Sequence, residues 1–237
     1  VGAIANSIGA TEEAVRAFQD AIDLYAAQGA RGKSGKRLDT VLMHSYCDLS
    51  DLQFLRGEID AGLNNLELAV AASQRLCNYD TAMSPDSLSL LATSYDSLAR
   101  RKRQTAQLAD ENEYSKRSVA LRERTLKAAP AMKIHALRLC RSYNYLSIAQ
   151  KEIGDYEGAR QSCDRVFYLL ESKLHAAPDE KRYQDWLALH CLNKGLWASS
   201  SENAQSYIRR AIAIWDDLVR GEPPATSLRT NLARAYL

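Results

Sequence analysis

No apolar run in this chain approaches the roughly 20 residues that a membrane-spanning helix needs, so the sequence reads as a soluble protein. A charged-then-apolar leader is missing from its start as well. Charge bias is also lacking: 31 Lys and Arg face 29 Asp and Glu, and a net charge of +2 points by itself to neither nucleic acid nor an acidic membrane. The five cysteines, Cys47, Cys77, Cys140, Cys163 and Cys191, are odd in number and have no paired metal-ligand spacing. They read as small core residues in a reducing, cytoplasmic setting. His44, His135, His175 and His190 show no spacing suited to a metal or to a nucleophile and its base. The segment Gly29-Ala30-Arg31-Gly32-Lys33-Ser34 lacks the glycine that a phosphate-binding loop requires five positions before Gly32, where Ala27 stands, and a helical pattern precedes it in place of a strand. It reads as a basic linker. No catalytic residue, metal or cofactor is expected within the segment, although a catalytic domain outside it is compatible with everything seen.

What the chain does have is self-similarity. A five-residue phrase comes round as Leu42-Met43-His44-Ser45-Tyr46, Leu91-Ala92-Thr93-Ser94-Tyr95, Leu139-Cys140-Arg141-Ser142-Tyr143, Leu187-Ala188-Leu189-His190-Cys191 and Leu232-Ala233-Arg234-Ala235-Tyr236. Its last positions are separated by 49, 48, 48 and 45 residues. A second phrase, Glu123-Arg-Thr-Leu126-Lys-Ala-Ala-Pro130, returns as Glu171-Ser-Lys-Leu174-His-Ala-Ala-Pro178 with the same step of 48. Two unrelated phrases in one register mark a repeat protein.

Each period splits into two helices. Ala14, Val15, Ala17, Phe18, Ala21 and Ile22 fall at helical spacing and make one broad apolar stripe. The partner stripe holds Tyr46, Leu49, Ser50 and Gln53 in one copy and Tyr143, Leu146, Ser147 and Gln150 in another. Gly57 and Gly154 supply the positive backbone angle that ends the first helix, and the Glu58 or Asp155 that follows favours the positive end of the next. Pro130 and Pro178 close the second helix. One copy departs from this scheme: Gln104 to Glu113 replaces the glycine turn, and an extra stretch of helix or a loop is expected there. The repeated tyrosines read as packing residues between repeats.

The pattern resembles tetratricopeptide repeats, whose second helix carries a small-xxx-large-xx-small signature. It is matched by Ala14, Phe18 and Ala21, by Gly62, Leu66 and Ala69, by Ala159, Cys163 and Val166, and more loosely by Ala204, Ile208 and Ala211. The family's usual step is about 34 residues, so these units have longer helices or connections. The resemblance implies an all-α fold, an α-α superhelix or solenoid of antiparallel helix pairs forming one domain over residues 1–237. Its parts are a partial repeat at 1–30, repeats at about 38–80, 85–130, 133–178 and 181–223, and a partial repeat at 226–237. The Leu-Ala-x-Ser-Tyr phrase joined to Ala-Ala-Pro is also similar to long-period arrays attached to bacterial eukaryotic-type serine/threonine kinases. Val1-Gly2 falls where a first helix should be half finished and Tyr236-Leu237 midway through another, as expected of a segment excised from a longer array. Its uncapped ends invite self-association.

In the resembling family a concave groove is lined by first-helix positions two before and one, five and eight after the repeated tyrosine. Carried onto this sequence, these are His44, Cys47, Asp51 and Phe54, then Thr93, Asp96, Arg100 and Arg103, then Arg141, Asn144, Ile148 and Lys151. The implied function is a protein-protein interaction scaffold. Arg100, Arg103, Arg141 and Lys151 would pair with an acidic segment or a terminal carboxylate of a partner, and Asn144 would clamp its backbone. Four consecutive cations, Arg100 to Arg103, spread around a helix, so only some can face one partner. An alternative is the regulatory arm of a larger signalling protein such as a bacterial serine/threonine kinase. A helical-repeat RNA binder would need the same polar residues in every unit, and positions 47, 96, 144 and 192 are Cys, Asp, Asn and Leu.

Overall fold

The computed structural model describes residues 2–30, 35–79, 84–197, 201–220 and 226–236, and the basic stretch at 31–34 lies outside them. Among the described residues there are ten helices and no strand. The chain forms two compact units, residues 1–129 and 130–237.

The first unit contains α1 (Gly2–Ala30), α2 (Lys36–Leu55), α3 (Ile59–Asn78), α4 (Pro85–Gln104) and α5 (Leu108–Ala128), each packed on the next in chain order. Ile22 of α1, Leu42, Met43 and Leu49 of α2, and Ala69 and Ala72 of α3 make one buried cluster. Leu63, Leu66, Val70 and Cys77 of α3 make another with Leu91, Tyr95 and Leu98 of α4. Each fully buried leucine or valine contributes about 1.5–3 kcal/mol. The repeated tyrosine therefore does pack between successive helix pairs, with Tyr95 accepting a hydrogen bond from the Gln74 amide at 3.2 Å. The serine of the phrase has its own reason: Ser94 Oγ lies 2.8 Å from Ser73 Oγ, so α3 and α4 approach closely there.

The partial repeat at 1–30 is expected to begin within the first helix of a pair, and its described residues form one helix, α1, unbroken from Gly2 to Ala30. Ala10, Glu12, Glu13 and Ala14 are good helix formers, and together they outweigh the cost of about 1 kcal/mol of a glycine such as Gly9 in the helix. Expectation and structure part at Gln104 to Glu113. Neither an extra helix nor a long loop occurs, because α4 ends and α5 begins across the three residues Thr105 to Gln107.

That turn repeats the glycine turns bond for bond. After α2, the Gly57 N–H donates to Phe54 O at 3.2 Å and the Glu58 N–H to Gln53 O at 2.9 Å. After α4, the Ala106 N–H donates to Arg103 O at 3.0 Å and the Gln107 N–H to Lys102 O at 2.9 Å. Both are the paired bonds by which a left-handed residue stops a helix. Ala106 takes the left-handed role at φ 59°, where Gly57 has 78° and Gly154 83°.

The second unit contains α6 (Lys133–Glu152), α7 (Tyr156–Ala176), α8 (Lys181–Trp197), α9 (Ser201–Arg220) and α10 (Thr226–Tyr236), again packed in sequence. Asp155 caps α7 by accepting from the Gly158 N–H at 2.9 Å, as its position after the glycine suggested. Trp215 is fully buried and its indole N–H donates to Asp185 at 2.8 Å. Leu49, Leu98 and Leu146, each three residues after the repeated tyrosine, are core residues, whereas the corresponding residue of α8 is Lys194.

Candidate functional site

The first-helix positions carried over from the resembling family divide once their surroundings are seen. On α2, His44 and Asp51 are exposed, and Cys47 and Phe54 are half-buried. On α4, Arg100 and Arg103 are exposed and Asp96 is buried. On α6, Arg141 and Lys151 are exposed, with Asn144 and Ile148 half-buried between them.

In the first unit the basic run is sorted by the helix, as expected for consecutive positions. Arg101 turns to α2, where its Nη2 donates to Asp51 at 2.5 Å and its guanidinium lies 4.3 Å from the centre of the Phe54 ring. Arg100 approaches the same carboxylate at 3.9 Å. Lys102 turns the other way, donating to Gln107 at 2.8 Å beside Asp110 at 3.6 Å. The α2 and α4 face therefore carries two arginines around one carboxylate, on an aromatic floor. Cys47 reports the same neighbourhood, its thiol pushed up to about 12 by burial first and then by Asp48 and Asp51, with Arg100 opposing. A thiol so raised carries almost no thiolate near neutrality, so it is a packing residue and not a nucleophile. Burial likewise raises Cys140 to about 12 and Cys191 to about 11.

Asp96 and Thr93 belong to another network. Arg122 of α5 donates to Asp96 at 2.7 Å and to the Thr93 hydroxyl at 3.2 Å, and Ser118 donates to Asp96 at 2.5 Å. This pair holds α4 to α5 and turns the Asp96 carboxylate inward, with Thr93 half-buried beside it. Conversely, Arg101 was passed over by the sequence argument. A signal existed in the repeat, since its counterparts are Leu52 and Ala149, so a cation there is a departure that needs a partner.

In the second unit, Arg141 and Lys151 are the exposed cations among the α6 positions carried over, with Asn144 half-buried. Among the described residues of the chain, no group of three His, Cys, Asp or Glu side chains is placed to hold a metal ion. No described helix is long and apolar enough to cross a membrane.

Paired antiparallel helices, glycine-type turns and small-large-small packing define a tetratricopeptide-like helical-repeat fold. Solved structures carry the same fold. BtubC from P. vanneervenii is 15% identical, with a TM-score of 0.66 over 96% of this chain and 83% of that one. Two structures of the TPR-like repeats of a Podosopora anserina kinesin light chain are each 19% identical. Their TM-scores are 0.61, over 91% of both chains, and 0.59, over 89% of this chain and 90% of that one. No protein-family model matches the chain, and no curated protein matches it by sequence.

Proposed function

We propose that the chain is a protein-protein interaction scaffold that binds acidic partner segments on its first-helix faces. The tetratricopeptide-like fold supports a scaffold in general but names no ligand. The observation that carries the finer reading is the pairing of Arg100 and Arg101 with Asp51 over Phe54. Asp51 is 55% exposed and so is held only loosely. Arg100 is 50% exposed, so a partner carboxylate entering beside Asp51 gains its planar donors without uncovering a buried charge, while Arg101 stays paired with Asp51. Arg103 and His44 extend this face in the first unit, while Arg141, Asn144 and Lys151 offer a second basic face on α6. A C-terminal carboxylate meets the same chemistry as an acidic side chain. The regulatory-arm reading uses these faces unchanged and adds a catalytic domain, which flanking sequence would reveal by its glycine-rich and His-Arg-Asp loops.

The test is fluorescence anisotropy with labelled Asp- and Glu-rich peptides and with their amide counterparts, Asn and Gln. Binding of the acidic set should weaken by at least about tenfold in a variant carrying Arg100→Glu and Arg101→Glu, as expected when charge-assisted contacts are lost. Equal binding of acidic and amide peptides, or no loss in the variant, would refute the assignment of this face. A parallel Arg141→Glu variant reads the α6 face separately.

A further inference from the structure

A second candidate site lies within the second unit, among the last turns of α7, the start of α8 and α9. A cleft of about 270 Å³ is lined by Leu174, Leu187 and Ile214, with Gln184, Arg210 and Asp217 also at its walls. Its volume is below the roughly 300–1,000 Å³ of pockets that take whole ligands, and it suits one side chain. Leu187 is buried and Leu174 and Ile214 half-buried, so the interior is aliphatic.

The charged groups at its walls are Arg210 and Asp217. Arg210 is already answered, since its Nη2 pairs with Glu171 and its guanidinium stands 5.4 Å from the centre of the Phe167 ring. Asp217 is exposed and, among the described residues, makes no ion pair or hydrogen bond. Ile214 and Asp217, three residues apart on α9, line the same cleft, as neighbours on a helix face do. With Arg210 held by Glu171, the Asp217 carboxylate is left to meet a positive charge beside an aliphatic floor. The complement of such a cleft is a flexible hydrocarbon stem that ends in a compact positive charge.

We propose that this cleft receives a lysine side chain from a partner polypeptide, with its methylenes on Leu174, Leu187 and Ile214 and its ammonium on Asp217. Arginine fits less well, because its planar fork favours bidentate or stacked partners, and the aliphatic walls offer no ring to stack on. The site is independent of the acidic-peptide face on α2 and α4, and the two can fail separately.

The experiment follows methyl resonances of Leu174, Leu187 and Ile214 in the full chain during titration with Nα-acetyl-lysine-N-methylamide and, in parallel, with the norleucine analogue. Norleucine keeps the stem and removes the charge. The lysine ligand should shift all three signals and bind about fivefold more tightly than norleucine, the advantage of a half-exposed charge pair. Asp217→Asn, a surface change that leaves the fold intact, should erase that ratio and leave the aliphatic contact. Equal binding of the two ligands, a ratio unchanged in Asp217→Asn, or no shift with either ligand would each overturn the proposal. Arg100→Glu serves as a control and should leave the titration unchanged.

Discussion

The Arg122 guanidinium donates to the Asp96 carboxylate at 2.7 Å, with the two side chains only 2% and 10% exposed. In the other repeats the Arg122 position is held by Ser73 and Leu170, so this ion pair stands where the array otherwise places small or apolar residues. Glu111, Ser115 and Ser118 likewise occupy the small-large-small positions of α5, and all are buried. Removing one member of a buried pair leaves the other charge without a partner, which costs more than the pair itself contributes. Arg122→Ala should therefore destabilise the first unit by about 3–5 kcal/mol in urea unfolding. The double change Asp96→Leu with Arg122→Met should be close to neutral, because it removes both desolvation costs together. A large loss in the double variant would show that the hydrogen bonds of Thr93 and Ser118 depend on the ionic pair.

Ala106 gives a second prediction. An L-residue in the left-handed region costs about 1–2 kcal/mol relative to its relaxed backbone, and glycine carries no such penalty. At φ 59°, Ala106 bears the strain that Gly57 and Gly154 avoid at 78° and 83°. Ala106→Gly should stabilise the first unit by about 1 kcal/mol, less a part for the greater freedom of the unfolded chain. The reverse changes, Gly57→Ala and Gly154→Ala, should destabilise by a similar amount, even though a Cβ at either position meets nothing within 4 Å. Thermal unfolding of the three variants reads the sign directly.

The all-α class and the helix pairing were legible in the sequence because core positions recur at a fixed step. Leu42, Leu91 and Leu139 are all buried, and so are Tyr95 and Tyr143. Ala106 was not legible, since a turn read from glycine disappears when alanine adopts the same angle under tertiary constraint. In the candidate site, Arg100 and Asp51 come from the groove positions that the resembling family implies, and their side chains lie 3.9 Å apart. Their partner Arg101 was missed because a position count does not tell which of four neighbouring cations folds back on Phe54. Asp96 passed the same count but found a buried partner on α5, where Glu111, Ser115 and Arg122 stand in place of Gly62, Leu66 and Ser73 of α3.

Lys194 carries the repeat's most unusual substitution. It stands where Leu49, Leu98 and Leu146 are core residues, and its ammonium is 2.6 Å from Asp164. The centres of the Phe167, Tyr207 and Tyr168 rings lie 4.6, 5.0 and 5.9 Å away. Burial pulls its pKa down, but the hydrogen bonds and charges of Asp164 and Tyr207 together outweigh that pull and leave it raised. Lys194→Ala loses the stem, the ion pair and the three ring contacts, and should cost about 2–3 kcal/mol, discounted for the part of the pair that stays wet. Lys194→Leu should cost clearly less, because the apolar stem is kept and Asp164, 30% exposed, can hydrate. If both variants lose the same amount in urea unfolding, the charge dominates and the packing argument fails.

His190 should make the second unit sensitive to acid. It stands where the other repeats have Ser45, Ser94 and Ser142, is fully buried, and stacks on Trp186 with ring centres 5.9 Å apart. Neither ring nitrogen has a hydrogen-bond partner among the described residues. Burial lowers its pKa from 6.5 to about 4. Between these values the unfolded chain binds a proton that the folded one refuses, so stability is complete above about pH 7 and declines as pH falls. The full penalty, reached below pH 4, is about 3 kcal/mol, of which about 2 kcal/mol has been lost by pH 5. His190→Leu keeps an apolar side chain of comparable bulk and does not titrate. Measured by urea unfolding at pH 7.5 and at pH 5, the wild type should lose about 2 kcal/mol more than His190→Leu across that interval. Parallel losses in the two proteins would mean that the imidazole is protonated inside the fold or has found a donor or acceptor there.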